Sequence, residues 1–566
     1  MTSGAVESSP YSALSYTWGT SARSHVLECD NGVLPITQNL HNALRRLRHA
    51  TETRTFWVDA VCINQADILE RNAQIGLMKE IFGIAQEVII WIGEDNQNTV
   101  DGVNLLKLLY AAALEGKLPA FSDFFLLEEK LEQAGLPKYD SPAWKCAVDL
   151  YQRSWFTRIW VVQELALAKS AVVHCGRQSV PWSYFSYSAP CILKAVIWNY
   201  LNLQLRFEYN RFIGMDWSRD RLQQGLQTTL LDCLSRARSS FSMDPRDKVF
   251  GILGLASDDK TLLPNPDYST SVVEIYQTLT KNTIITQRSL DILSEVEDPM
   301  WTLIDKLPSW AVDWSAQTRG FPFRKLPVYT HFRAAGDSVV RLDKCTTPGT
   351  LALTGNRIDT IHRCGLPLLR LRPRDSPLLK AVNLIGAITL RTVSVRCIAQ
   401  CRWQQWERLA LTLNSYPHHP SASAAYLRTL IAGAPMPDSP HDLTFLYQAY
   451  LRASGFLRGS MALACSAEPN DDGVCTHWRA YADNVEAVCH GRRFFVTRKG
   501  YMGLAPVSAR EGDVVCILRG GKTPYVVRAE RKRGYRFVGE CYVEGLMGGG
   551  GMGGGEEEGC EEFVLL

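Results

Sequence analysis

Apolar positions in the N-terminal part of the chain switch repeatedly between strand-like runs and helical spacing, as expected for strands alternating with helices. Leu14 to Trp18 predicts a first strand, with Gly19 to Ser24 as its polar exit. Leu40, Ala43, Leu44 and Leu47 then recur at helical spacing, with basic residues on the other side. Phe56 to Ile63 is rich in aromatic and β-branched residues and predicts a second strand, ending in the polar cluster Asn64, Gln65 and Asp67. Asp67 has the place of a helix cap and Glu70 that of its reciprocal partner. Ile75, Met78, Phe82 and Ala85 give the helix that follows one apolar face. Glu87-Val-Ile-Ile-Trp-Ile92, closed by Gly93, Glu94 and Asp95, is almost wholly apolar, which suits a strand covered on both faces. The expected fold class is α/β, with an N-terminal parallel sheet flanked by helices and joined by right-handed crossovers.

Residues 96–142 interrupt this alternation with a helix over Val103 to Ala113 and a loop holding Pro119, Pro137 and Pro142, and read as an insertion. Trp144 to Leu150 and Phe156 to Lys169 resume helical spacing. Ala171 to Gly176 is a further strand, and a first domain spanning 11–185 is expected to close there. Residues 186–480 read as a mixed, mainly helical region, with helices over Leu230 to Ala237, Val272 to Thr286 and 403–457 and strand-like alternation at 351–363. Short β-runs between glycine-bearing turns predict a small antiparallel, barrel-like module over 481–547. The Gly- and Glu-rich run at 548–566, which includes Glu561 and Glu562, predicts a disordered tail.

A length of 566 residues exceeds what one core organises. The 61 lysines and arginines nearly balance the 58 acids, so net charge favours neither a nucleic acid nor a membrane as partner. Locally the C-terminal module is basic, with twelve lysines and arginines against three acids from Arg492 to Arg536. Small barrels of that kind can bind nucleic acid, but most of these charges fall between strands, and solvated turns are the favoured reading. The longest apolar stretch, Ala381 to Ala399, is broken by Arg391 and Arg396 and reads as a buried helix or strand pair, so no membrane partner is expected. Without a secretory pattern at the start, the 16 cysteines read as reduced thiols, and a cytoplasmic location is expected. Cys397 and Cys401, followed by His418 and His419, lack a usual zinc spacing, and no metal is expected.

Ligands of open parallel sheets bind beyond the carboxyl ends of the strands. Those ends are Thr17 to Thr20, Asn64 to Asp67 and Gly93 to Asp95, which makes Trp18, Gly19, Asp59, Asn64, Gln65 and Gly93 candidate ligand contacts. Gly19 and Gly93 serve equally well as strand terminators, and Asp59 as a cap for loop backbone. Cys62 is a candidate nucleophile, although a place in a buried strand explains it more simply. His174 and Cys175 read as strand-end packing residues.

Several of these blocks, in order, resemble the fungal heterokaryon incompatibility (HET) domain. They are Tyr11 to Gly19, Ile36 to Leu40 with Ala43 and Leu44, Trp57 to Gln65, Glu70 to Gln74, Met78, Ala85 to Gly93, Trp155-Phe156 and Arg158 to Leu165. Met243 to Leu255 and Leu307-Pro-Ser-Trp-Ala-Val-Asp-Trp314 resemble blocks that follow this domain in relatives, and the tryptophans of the second read as core. The resemblance implies non-self recognition and regulated death of fused cells. The partners it implies are a second copy or another incompatibility or signalling protein. Relatives commonly carry a longer stretch before the first block, so a truncated start is expected.

Trp160-Val-Val-Gln-Glu-Leu165 is in turn similar to the Trp-Cys-x-x-Glu-Leu stretch of TIR domains, with Val161 in place of the cysteine. In TIR domains that cleave NAD that glutamate is catalytic, which makes Glu164 the candidate catalytic residue here and Trp160 its candidate neighbour on one helix face. NAD would be substrate, with no cofactor. The alternative use of Glu164 is an ion pair with Arg158 or Arg153 that holds the helix on the sheet. Two functions stay open on these residues, a TIR-like NAD-consuming enzyme and a non-catalytic interaction module.

Overall fold

The computed structural model describes residues 10–19, 22–30, 32–118, 127–138, 140–198, 204–264, 266–318, 320–340, 348–368, 402–413, 415–417, 419, 421–436, 442–453, 472–531, 534–550 and 559–566. Two compact units divide the chain, Met1–Val272 and Val273–Leu566. The class is α/β: an N-terminal sheet with flanking helices, a helical middle and a C-terminal β-sheet.

In the first unit, strand β1 (Ser12–Tyr16) leads through the hairpin β2 (His25–Cys29) and β3 (Gly32–Ile36) into helix α1 (Gln38–Leu47). Then come β4 (Phe56–Trp57), α2 (Asp59–Cys62), α3 (Ile68–Ile84) and β5 (Glu87–Trp91). Helices α4 (Thr99–Leu114), α5 (Leu127–Gln133), α6 (Pro142–Tyr151) and α7 (Val161–Leu167) precede β6 (Ala171–Cys175) and β7 (Gln178–Pro181). The sheet runs β4-β1-β5-β6-β7; its first four strands are parallel and β7 turns back antiparallel on β6. Taken in chain order, the parallel strands stand 2-1-3-4, so the order reverses between β1 and β5. That reversal opens the crevice in which doubly wound sheets hold ligands.

The predicted covering of β5 is found, since Val88 to Trp91 are fully buried. Asp67 caps α3 as predicted, its Oδ1 accepting from the N–H groups of Leu69 and Glu70 at 2.9 and 3.2 Å. Glu70 reaches back beyond the cap to accept from the Asn64 N–H at 2.9 Å. The predicted strand over Phe56 to Ile63 is corrected to two strand residues and one helical turn. After Val58 the backbone folds on itself, with Cys62 N–H donating to the Val58 carbonyl at 2.8 Å, and Ala60 and Val61 pack beside Leu14, Leu40 and Val58. A single turn thus serves the same apolar residues that a strand would have exposed on alternate faces. Cys62 is consequently exposed on α2 rather than buried in a strand. The β2–β3 hairpin was not predicted because Val26 and Val33 face solvent and only Leu27, Leu34 and Ile36 meet the core.

The expected 11–185 domain is embedded in a larger unit. Trp182 stacks on Phe185 and Phe212, and all three rings pack at a tilt against Phe156 near the entry to α7. The Arg219 guanidinium donates to the carbonyls of Leu165 and Ala168, both at 2.7 Å, a cation on the open end of α7.

In the second unit, β8 (Leu351–Cys364), β9 (Arg492–Thr497), β10 (Met502–Pro506), β11 (Val514–Leu518), β12 (Tyr525–Glu530), β13 (Gly534–Glu540), β14 (Tyr542–Val543) and β15 (Cys560–Leu565) form one sheet. Because β8 pairs with both β11 and β15, the strands β11-β12-β13-β15-β8 close into a ring, and the far end of β8 passes to β9, β10 and β14. Closure leaves those five strands without an open edge. The module therefore begins with the 351–363 alternation and ends in the predicted tail. The expectation of a disordered tail is corrected at Cys560–Leu565, where Phe563 and Leu565 are fully buried and Glu561 pairs with Arg357 on β8 at 2.9 Å. Its acids had masked a strand whose alternate residues are core. Helices Ala422–Leu430, Leu443–Ala453 and Asp472–Cys489 contribute to one core with β9 and β10 through Tyr426, Leu446, Tyr481, Phe494 and Met502.

No helix among the described residues is long and apolar enough to cross a membrane. Ala381 to Ala399, Cys397, Cys401, His418 and the tail acids Glu556 to Glu558 lie outside the described residues.

Candidate functional site

Glu164 sits in α7 with its side chain turned to the middle of β1. It is only 6% exposed, and its Oε2 accepts from the Ser15 hydroxyl. Ser15 Oγ in turn accepts from the Trp155 indole N–H at 2.8 Å, so a buried relay runs from indole to hydroxyl to carboxylate. Burial pushes the Glu164 carboxyl up to about 7; the Arg158 charge and the Ser15 bond pull against that rise, and nearby Asp59 adds to it. Arg158 does not form a direct ion pair with Glu164. Its guanidinium donates to the Tyr16 carbonyl and lies close enough to favour the charged forms of both Glu164 and Asp59.

Asp59 opens the α2 turn. Its Oδ1 accepts from the Ala60 N–H at 2.7 Å and its Oδ2 from the Trp18 indole N–H at 2.8 Å. Burial raises the Asp59 carboxyl despite Arg158 and these donors. Tyr16 is buried beside it, and burial followed by the Asp59 charge pushes that phenol upward. Two carboxyls, one guanidinium and one phenol therefore share a single water-poor neighbourhood at the carboxyl end of β1. Trp18 forms its outer edge with 36% of its surface exposed.

The other candidates divide. Gln65 joins this neighbourhood, its amide donating to the Asp59 carbonyl at 3.2 Å. Asn64 is exposed and its N–H is taken by Glu70, while Gly19, in the left-handed region, lies near Asn39. Gly93 belongs to a separate tie: its carbonyl accepts from Gly176 N–H at 2.9 Å, and the following Glu94 is held by Arg46 and, through its carbonyl, by Arg153. Arg153 is thereby committed away from Glu164. Trp160 is corrected as a neighbour of the Glu164 carboxyl. It is the cap of α7, and its ring lies against Gly251 and helps keep the Asp247 carboxyl charged, while Glu164 turns to Ser15.

Sequence reasoning missed Ser15, Tyr16, Trp155 and Asn39. Asn39 donates to the Thr17 carbonyl at 2.6 Å and accepts from the Trp91 indole at 3.0 Å, which locks the exit of β1 to β5. The available signal was a serine within the apolar run Ala13 to Tyr16. Among the described residues no group of His, Cys, Asp and Glu side chains could hold a metal, and His419 instead meets Glu544 at 2.6 Å. His174 is pushed down and Cys175 up, each chiefly by burial. In the C-terminal module several basic residues are structural: Arg492 is buried against Glu540 at 3.3 Å and over the Phe323 ring, and Arg528 pairs with Asp513 at 2.7 Å.

Residues 11–164 match the sequence family described as heterokaryon incompatibility protein (HET), and residues 472–566 match the Het-6 β-barrel domain. The chain is also similar to a Neurospora crassa protein described as "heterokaryon incompatibility protein 6, OR allele". The two are 26% identical over 95% of this chain and 89% of that protein. No solved structure matches. Both family matches and the relative support a heterokaryon incompatibility protein.

Proposed function

We propose that this chain acts in non-self recognition and regulated cell death, with the N-terminal unit serving as an interaction module. The role is drawn from the incompatibility proteins it resembles at both ends. The packing of Glu164 supports the module reading: at 6% exposure, with Ser15 on one carboxylate oxygen and the Arg158 charge nearby, it joins α7 to β1. Glu164 is then a positioning residue. The exposed Trp18 ring, anchored by Asp59, offers a rigid aromatic contact for a protein partner, either a second copy or another incompatibility or signalling protein.

A second reading, cleavage of NAD, draws on one observation. Burial raises two carboxyls in one neighbourhood near the reversal of strand order, and perturbed carboxyls mark functional sites more often than chance. In that reaction the nicotinamide–ribose bond breaks and its electron pair leaves with neutral nicotinamide. An ionised Glu164 would stabilise the positive charge on the sugar, and water would add there with loss of a proton.

The test is inducible expression of the full chain as wild type, Trp18→Ala and Glu164→Gln, with soluble protein matched and both viability and NAD followed. The module reading expects wild-type killing at constant NAD and attenuated killing by Trp18→Ala. A fall in NAD that precedes death and vanishes in a stable Glu164→Gln variant would overturn it in favour of catalysis.

A further inference from the structure

The C-terminal unit holds a cavity of about 530 Å³, a size common among small-molecule sites. It is walled by residues of the 296–313 segment, by the β12–β13 hairpin and by Leu566. The block Leu307 to Trp314 divides its residues here. Trp310 and Trp314 enter the core at 2% and 1% exposure, whereas Leu307, Pro308, Ser309, Ala311 and Asp313 line the cavity. Core packing accounts for the tryptophans and leaves the residues between them free to shape a wall.

Hydrogen bonds within the chain hold that wall. Ser309 donates through its N–H at 2.8 Å and through its hydroxyl to the Leu566 carbonyl, and its Oγ accepts from Phe537 N–H at 2.8 Å. Asp313 accepts four backbone N–H bonds, from Leu303 and Ile304 on one oxygen and from Ser315 and Ala316 on the other.

Three basic and three acidic side chains line the cavity, beside the Leu566 carboxylate that Ser309 holds, and they are not equally committed. Asp313 is occupied by backbone, Glu530 pairs with Arg536 at 3.3 Å, and Glu297 acts on Arg492. Lys306 and Arg531 are exposed, and neither forms an ion pair among the described residues. Lys306 also has φ 60°, a left-handed conformation that costs a side-chain-bearing residue about 1 kcal/mol or more. Glycine would relax that turn, yet a lysine stands there at the cavity's edge.

We propose that this cavity binds a small organic anion, its phosphate or carboxylate group held by Lys306 and Arg531 and its apolar body lying against Val296, Pro299 and Leu307. Lys supplies a mobile point charge and Arg a planar fork, the pair of donors that suits either anion.

The test is calorimetric titration of the purified full chain with 2-naphthyl phosphate, 2-naphthoate and inorganic phosphate, on wild type, Lys306→Gly and Arg531→Gln. We expect saturable binding of at least one naphthyl anion in preference to inorganic phosphate, and the preferred anion identifies the chemical source. Each variant should weaken it at least about tenfold, as loss of one charge-assisted contact does. Lys306→Gly should leave the melting temperature unchanged or higher, because glycine fits the left-handed turn, so its lost affinity reads as lost charge and not lost fold. Absence of saturable binding by every probe, inorganic phosphate bound at least as well as both naphthyl anions, or affinity untouched in both variants would overturn the proposal.

Discussion

Glu164 carries a pH dependence whose sign follows from its environment. Its carboxyl moves from an ordinary 4.5 to about 7 in the folded chain, chiefly through burial, so between those values the folded state holds a proton that the unfolded state has lost. Stability from this group is therefore greatest below pH 4.5, falls as pH rises toward about 7 and is level above that. Compared with Glu164→Gln, which does not titrate, wild type should lose roughly 2–3 kcal/mol between pH 5 and 8 in urea unfolding. A difference that stays constant across that range would refute the assignment. Glu540 in the other unit is raised to the same region and with the same sign, which is why the comparison with Gln is needed. Ser15→Ala removes a donor from Glu164 and an acceptor from Trp155 together. It should cost about 1–3 kcal/mol by the same measurement. Glu164 could be singled out through its local resemblance. Its partner Ser15 could not, because a polar residue within an apolar strand reads equally as a solvent-facing position.

At the scale of elements, close contacts that sequence does not announce set the geometry. Gly102 lets α4 lie directly on α6, since a Cβ there would fall 2.6 Å from the Cys146 carbonyl oxygen. Gly102→Ala must push the helices apart and should destabilise the first unit by about 1–3 kcal/mol in denaturant unfolding. In β15, Phe563→Ala should cost about 3–5 kcal/mol, because the ring is wholly buried and the strand joins β8 to β13. Preservation of the unfolding midpoint in that variant would contradict the placement of β15. The α3 cap at Asp67 and the covered strand β5 were legible because local chemistry alone specifies them. The turn at Asp59–Cys62 was not, since it forms where Ala60 and Val61 meet residues distant in sequence.

For the whole molecule, the chain divides into two compact units. Scanning calorimetry of the full chain should accordingly show two transitions, one lowered by Gly102→Ala and the other by Phe563→Ala. A single transition lowered by both variants would show that the units unfold together. The C-terminal module illustrates why composition misleads at this scale. Its basic surplus suggested charged turns, but Arg492 and Arg528 are counter-ions of buried carboxylates within the unit. Net charge counts such residues as surface, whereas folding takes them inside with a partner.

The sequence by itself determined the α/β class, the covered strand β5 and the α3 cap. Each rests on periodicity or on contacts within a few residues. Tertiary structure alone decided the closure of the barrel through β8 and β15, the burial of Glu164 against Ser15, the departure of Trp160 to Gly251 and the convergence of Lys306 with Arg531 on one cavity. Those features join residues far apart along the chain. Their energies come from desolvation and packing between elements, and no local pattern of polar and apolar residues records them.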